Sequence, residues 1–130
     1  MDSSEEKKAW RRVRYHQKFL NAFRGMYVFL KTTKTFYQTH LPIYAIFIIS
    51  GFYFQISSSE WVSVVFAIGF MLVAETINTA IEIDIDLTSP EYHPFARDTK
   101  DVAAAAVALA GITSAVIWLI IFLPRLLWIF

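Results

Sequence analysis

With 130 residues, 56% of them hydrophobic and 17% aromatic, the chain is too apolar for a soluble domain of its size. It has no cysteine, which excludes disulfides. The net charge is only +1, but nine of the twelve Lys/Arg residues fall within residues 1–34 and none between Lys34 and Arg97, so a multi-pass inner-membrane protein with a cytoplasmic N-terminus is expected, and no nucleic-acid partner.

Residues 3–31 read as a surface helix. Ser3 and Glu6 have capping-box spacing, and Trp10, Val13, Leu20, Phe23, Tyr27 and Leu30 recur at helical intervals among Arg11, Arg12, Arg14 and Lys18. Such an amphipathic, basic helix suits a lipid headgroup layer; a solvated basic tail that only fixes topology is the plainer alternative. The basic stretch is too long for a cleaved signal peptide.

Three membrane spans are expected. The first covers about residues 35–55, with Pro42 near its start, and the second about residues 60–83. The third, residues 102–123, carries no charge at all. The turn QISSSE lacks cations and belongs outside. The connection over residues 87–101 carries Arg97 and Lys100 and belongs inside, while Arg125 weakly opposes that orientation. No repeat or second domain is visible, so residues 1–130 read as one all-α membrane domain. Three spans cannot enclose a polar site by themselves, so a homo-oligomer is expected. Ala104, Ala108 and Ala115 near one face of the third span, with Ala103, Ala110, Gly111 and Ser114 on others, would allow close helix approach between chains or within one.

The second span turns polar without any turn signal. At about 100° per residue, Asn78, Glu82 and Asp86 fall within roughly 60° of Glu75, on one stripe. Asp84 points about 180° away. Carboxylates on a membrane helix are costly and mark function by default. Counting about 1.5 Å per residue from Trp61, Glu75 lies ~21 Å along the helix and Glu82 ~31 Å, at the edge of a ~30 Å hydrocarbon core. Glu82 and Asp86 can hold a hard cation there, and the deeper, less solvated Glu75 is placed to act as base on a lipid hydroxyl. Lys100 can meet a phosphate, and Asp101 can cap the third helix or share a cation. Such a set suits phosphoryl transfer, which demands positioning and charge neutralisation. Taken singly, each has a plainer use: Glu82 and Asp86 as interfacial residues, Lys100 and Asp101 as a loop cation and a cap, Asn78 as a packing amide.

The segment AETINTAIEIDIDLTSPEYHPFARDTKDVAAAAV, residues 74–107, resembles the signature of the prokaryotic diacylglycerol kinase family, in particular its undecaprenol kinase branch. The family pattern is E-x-x-N-[ST]-A-I-E-x-x-x-D, a short loop with E-Y-H, then K-D before small residues. The resemblance implies a homotrimer with three transmembrane helices per chain and an N-terminal surface helix. It implies Glu75 as proton acceptor and Glu82 as a magnesium ligand. Asn78, Asp86, Lys100 and Asp101 would be active-site or nucleotide-contacting groups. Glu91, Tyr92 and His93 would form a nucleotide-contacting loop, and Arg14 would meet ATP. Where the family usually carries a second glutamate, eight residues after Gly25 and three before Phe36, this chain has Thr33, whose hydroxyl can hold magnesium only weakly. No glycine-rich phosphate loop is present.

The expected activity is therefore transfer of phosphate from ATP, with magnesium, to a membrane lipid alcohol, undecaprenol first and diacylglycerol second. A degenerate family member serving as a scaffold and a proton-coupled carrier with Glu75 as proton site are the alternatives. A carrier would be expected to show repeats or broken helices.

Overall fold

The computed structural model describes residues 15–129, and every regular element in that range is helical. In chain order these are α1, Tyr15–Thr32; a π-turn, Phe36–His40, running directly into α2, Leu41–Tyr53; α3, Ser58–Thr88; and α4, Pro94–Leu127. The chain divides into two compact units, residues 1–33 and residues 34–130.

The first unit contributes α1, which ends with Lys31 in its last turn, where a cation opposes the negative end of the helix dipole. Phe19, Leu20, Phe23 and Tyr27 are all exposed. Within the described residues the helix expected over residues 3–31 is present as Tyr15–Thr32, and its role as an amphipathic surface layer is not supported. Ser3, Glu6, Trp10, Val13 and the Arg11, Arg12 and Arg14 cluster lie outside the described residues.

In the second unit the expectation of three spans is corrected to two. Among the described residues only α3, with 31 residues, and α4, with 34, are long and apolar enough to cross a bilayer. At about 1.5 Å per residue each exceeds a ~30 Å hydrocarbon core. The segment read as the first span is divided by the π-turn, where the Leu41 N–H bonds the Phe36 carbonyl five residues back. Pro42 follows immediately. It has no N–H to continue the ladder, and its ring crowds the carbonyl four residues earlier, so the helix opens just ahead of it. What remains, α2, has 13 residues and reaches only about 20 Å.

α2 nevertheless lies close against α3. A Cβ on Gly51 would fall 2.6 Å from the Trp61 indole, so only glycine admits this approach. After Tyr53 the chain reverses through Gln55, in the left-handed region at φ 49, with the Ile56 N–H returning to the Gly51 carbonyl at 3.2 Å. Ser57 and Glu60 then form a reciprocal capping box that starts α3. Glu60 also receives Arg125 from the far end of α4 at 2.8 Å.

α3 and α4 form a long antiparallel hairpin. Phe47, Ile56, Val64, Ala67, Ile121 and Phe122 make the main core at the Ser57 end, and Tyr44, Met71 and Ala110 make a second cluster nearer the connection. Small residues on α4 are used within the chain: Ala103, Ala110 and Ser114 are buried, and the Ser114 hydroxyl donates to the Ala67 carbonyl at 3.2 Å. Ala104, Ala108 and Ala115 are exposed. Glu75 is only 4% exposed within the single chain, whereas Glu82 and Asp86 are exposed. Nothing in the structure supports a homotrimer, and the fold is an all-α membrane fold with two long apolar helices.

Candidate functional site

The polar stripe on α3 is a continuous feature of one helix, and its members divide by depth. Glu75 and Asn78 are buried, whereas Glu82 and Asp86 are exposed. One turn apart on the same face, Asn78 and Glu82 meet directly, the Asn78 amide Nδ2 donating to Glu82 Oε1 at 3.0 Å. The Asn78 carbonyl oxygen, by contrast, is buried without a hydrogen-bond partner. Lys100 of α4 crosses the hairpin to an ion pair with Asp86. Two of the charges expected to face a phosphate and a cation are therefore already neutralising each other.

Glu75 has a neighbour that the sequence reading passed over. His40, the last residue of the π-turn, places Nδ1 3.9 Å from Glu75 Oε1, and both side chains are 5% exposed. One turn on, Tyr44 carries a second buried polar atom without a partner, its hydroxyl. A signal for His40 existed. It stands at the start of a segment read as membrane-spanning, and the expense of a titratable group there is the same argument that singled out Glu75.

The other expected residues are placed differently. Lys100 and Asp101 were read as the start of the third helix, but α4 begins two turns earlier. Pro94 supplies a preset φ at its first turn, and His93 caps it, its Nδ1 accepting the Phe95 N–H at 3.3 Å. Asp101 therefore caps nothing; it sits one turn after Arg97 and pairs with it at 3.6 Å. Glu91, Tyr92 and His93 are exposed in the short connection between α3 and α4, on the side of Asp86. Thr33 belongs to the other compact unit, where its N–H bonds the Phe29 carbonyl at 3.0 Å. Arg14 lies outside the described residues.

Beside the stripe, α3 and α4 enclose an open, mainly apolar groove of about 640 Å³. Phe70, Val73, Ile77, Val102 and Ala106 line it, and Asn78, Asp98 and Thr99 give it a few polar atoms. An apolar trough with polar groups toward the hairpin connection matches the shape of a lipid with a hydroxyl head.

Among the described residues no three His, Cys, Asp or Glu side chains cluster closely enough to cage a metal ion. Magnesium does not require such a cage, since it keeps several waters and is bound through one or two carboxylates plus substrate phosphates. The exposed Glu82 carboxylate, steadied by Asn78, is a donor of the right hard-oxygen type.

Comparison with known proteins agrees with this chemistry. The model of the prokaryotic diacylglycerol kinase family matches residues 20–122. Undecaprenol kinase of Bacillus subtilis is 36% identical over 126 residues, covering 97% of this chain and 100% of the relative. Diacylglycerol kinase of Pseudomonas aeruginosa is 30% identical over 105 residues, covering 81% of this chain and 79% of the relative. Diacylglycerol kinase of Escherichia coli K12 is 35% identical over 51 residues, covering 39% of this chain and 42% of the relative. The chain belongs to the prokaryotic diacylglycerol kinase family and, with it, to the ATP-dependent kinases of membrane lipid alcohols.

Proposed function

We propose that this lipid kinase acts on undecaprenol in preference to diacylglycerol, with Glu75 as general base and Glu82 as the carboxylate that meets magnesium. The observation that carries the site reading is the burial of Glu75 one turn from an Asn78–Glu82 pair that opens to the surface. The lipid preference is supported by the relative named for undecaprenol, whose likeness runs through the whole length of both chains.

The reaction follows from the depth ordering. A lipid lying in the α3–α4 groove brings its hydroxyl alongside Asn78, within one turn of Glu75. Glu75 takes the hydroxyl proton as the oxygen bonds to the γ-phosphorus, and the bond from that phosphorus to the β,γ-bridging oxygen breaks, releasing ADP. Asn78 orients Glu82 through its amide Nδ2. Lys100, now held by Asp86, exchanges that carboxylate for a phosphate when ATP arrives, which leaves Asp86 available at the same place. Magnesium would supply neutralisation of the phosphate charge, and Glu82 would hold it. The exposed Glu91, Tyr92 and His93, together with Asp101 and Arg14, are assigned to the nucleotide.

ATP fixes the orientation. The connection between α3 and α4, with the exposed end of the stripe beside it, faces the cytoplasm.

The test is purified protein in mixed micelles with labelled ATP, magnesium and a panel of lipid alcohols. Label is expected in undecaprenol first and in diacylglycerol at a lower rate. A preference for diacylglycerol overturns the substrate choice, and absence of label from every lipid overturns the assignment.

A further inference from the structure

We infer that His40 is a positioning residue for the phosphoryl-transfer step, acting through Glu75; the inference rests on the reading of Glu75 as the general base. Three observations converge on it. The first is contact: His40 Nδ1 faces Glu75 Oε1 at 3.9 Å, with both side chains shut away from solvent. The second is the absence of any other use for that nitrogen, which has no hydrogen-bond partner although His40 is only 4% exposed. A buried polar atom without a partner costs about 1–3 kcal/mol, so a core position that needed only volume would favour an apolar ring. The third is backbone geometry. His40 closes the π-turn and stands at helical spacing on the same buried face as Tyr44, Phe47 and Gly51. Single π-turns inside helices occur frequently at functional sites.

The chemistry fixes the sense of the contact. An imidazole nitrogen turned toward a carboxylate is attractive only if it carries the proton, so His40 presents Nδ1–H to Glu75. Across 3.9 Å it attracts one carboxylate oxygen electrostatically and leaves the other for the lipid hydroxyl. In a dry site the orientation of the base decides how often the hydroxyl proton lies in line with it. His40 touches neither lipid nor nucleotide in this scheme, so its loss changes the rate of the step and not the binding of either substrate. Tyr44, one turn away and ring-to-ring with His40 at 6.2 Å, borders the same enclosure.

The experiment compares His40→Phe, which keeps a ring but no N–H, with His40→Gln, which keeps an N–H donor, and with Glu75→Gln. Steady-state kinetics are run in mixed micelles with undecaprenol or diacylglycerol, whichever is the better substrate, and circular dichroism checks helix content. A base contributes about 10²–10⁴-fold, so a partner that only orients it is expected to carry roughly ten- to hundredfold. His40→Phe should lower kcat by that factor with both KM values unchanged, and His40→Gln should recover most of it. Near-normal kcat in His40→Phe beside an inactive Glu75→Gln overturns the role of His40 alone. A loss carried by KM, or one that glutamine does not rescue, overturns it as well. An active Glu75→Gln removes the base and with it this inference. Should His40→Phe lose helix content, His40→Leu, which also lacks an N–H, replaces it; a kcat equal to wild type there counts against the proposal, and a reduced kcat with unchanged KM supports it.

Discussion

The two ends of α3 use acidic residues in opposite ways. At its start Glu60 is fully engaged: it closes the capping box with Ser57 and holds Arg125 of α4 by 2.8 and 2.9 Å contacts. Every oxygen there has a task, and the task is to tie the two long helices together. A little past the middle of the same helix Glu75 is more deeply buried, yet it has only the 3.9 Å approach of His40, and Asn78 and Tyr44 nearby each keep a buried atom without a partner. A satisfied carboxylate at the helix start serves structure. An incompletely satisfied one in the interior costs stability and is retained for chemistry.

The largest effect expected from this contrast is at Glu75. Glu75→Gln removes the base while keeping size and hydrogen-bonding capacity, and it should lower phosphoryl transfer by about 10²–10⁴-fold with helix content and nucleotide binding intact. Labelled-ATP assays measure it directly. Activity above roughly a tenth of wild type would place Glu75 with Glu60 among the structural carboxylates. Next in size is Glu82→Gln, which should raise the magnesium concentration for half-maximal rate several-fold, since a neutral amide is a poorer ligand for a hard cation. Magnesium titration of variant and wild type with the same curve would mean that the exposed end of the stripe holds no metal.

This division was only partly legible in the sequence. Glu75, Asn78, Glu82 and Asp86 could be placed on one face because helical periodicity needs nothing beyond spacing, and the structure keeps them so. The long helices α3 and α4 were equally readable from their apolar runs, although each extends beyond the span expected, over Ser58–Thr88 and Pro94–Leu127. The first span was not readable, because an apolar count cannot register that Pro42 interrupts the ladder and opens a π-turn. His40 keeps the helical spacing of Tyr44, Phe47 and Gly51, but that this face meets Glu75 depends on the packing of α2 on α3 and not on spacing. The start of α4 was misplaced for a related reason: charged residues 97–101 suggested a loop, but Pro94 and the His93 cap begin the helix before them. The enclosure of Glu75 within one chain was also out of reach, since it depends on α2 folding back along α3.

A smaller effect concerns Thr33, which stands where the family resemblance expects a glutamate. If Thr33 contributes an oxygen to the metal, Thr33→Glu adds charge to a weak ligand, and the magnesium requirement should fall by a modest factor with kcat preserved. An unchanged or higher requirement would mean that the site has settled around the threonine and that a further carboxylate brings only charge without a partner.

The smallest effect is expected at the structural end, and it tests the contrast from the other side. Arg125→Met keeps most of the apolar length of the side chain but removes the tie to Glu60. Both partners are partly exposed, at 33% and 26%, so the pair is screened and its loss should cost only about 1 kcal/mol. Glu60 would keep its capping box with Ser57, which limits the damage further. The melting temperature of the variant in detergent should therefore fall by a few degrees, while kcat and the magnesium requirement stay at wild-type values. A combined Glu60→Gln and Arg125→Met variant should lose less than the two single losses added together, because each single change already breaks the shared contact. A marked fall in kcat in Arg125→Met without a fall in melting temperature would mean that charge at this end also serves the reaction, and the division between the two ends of α3 would have to be abandoned.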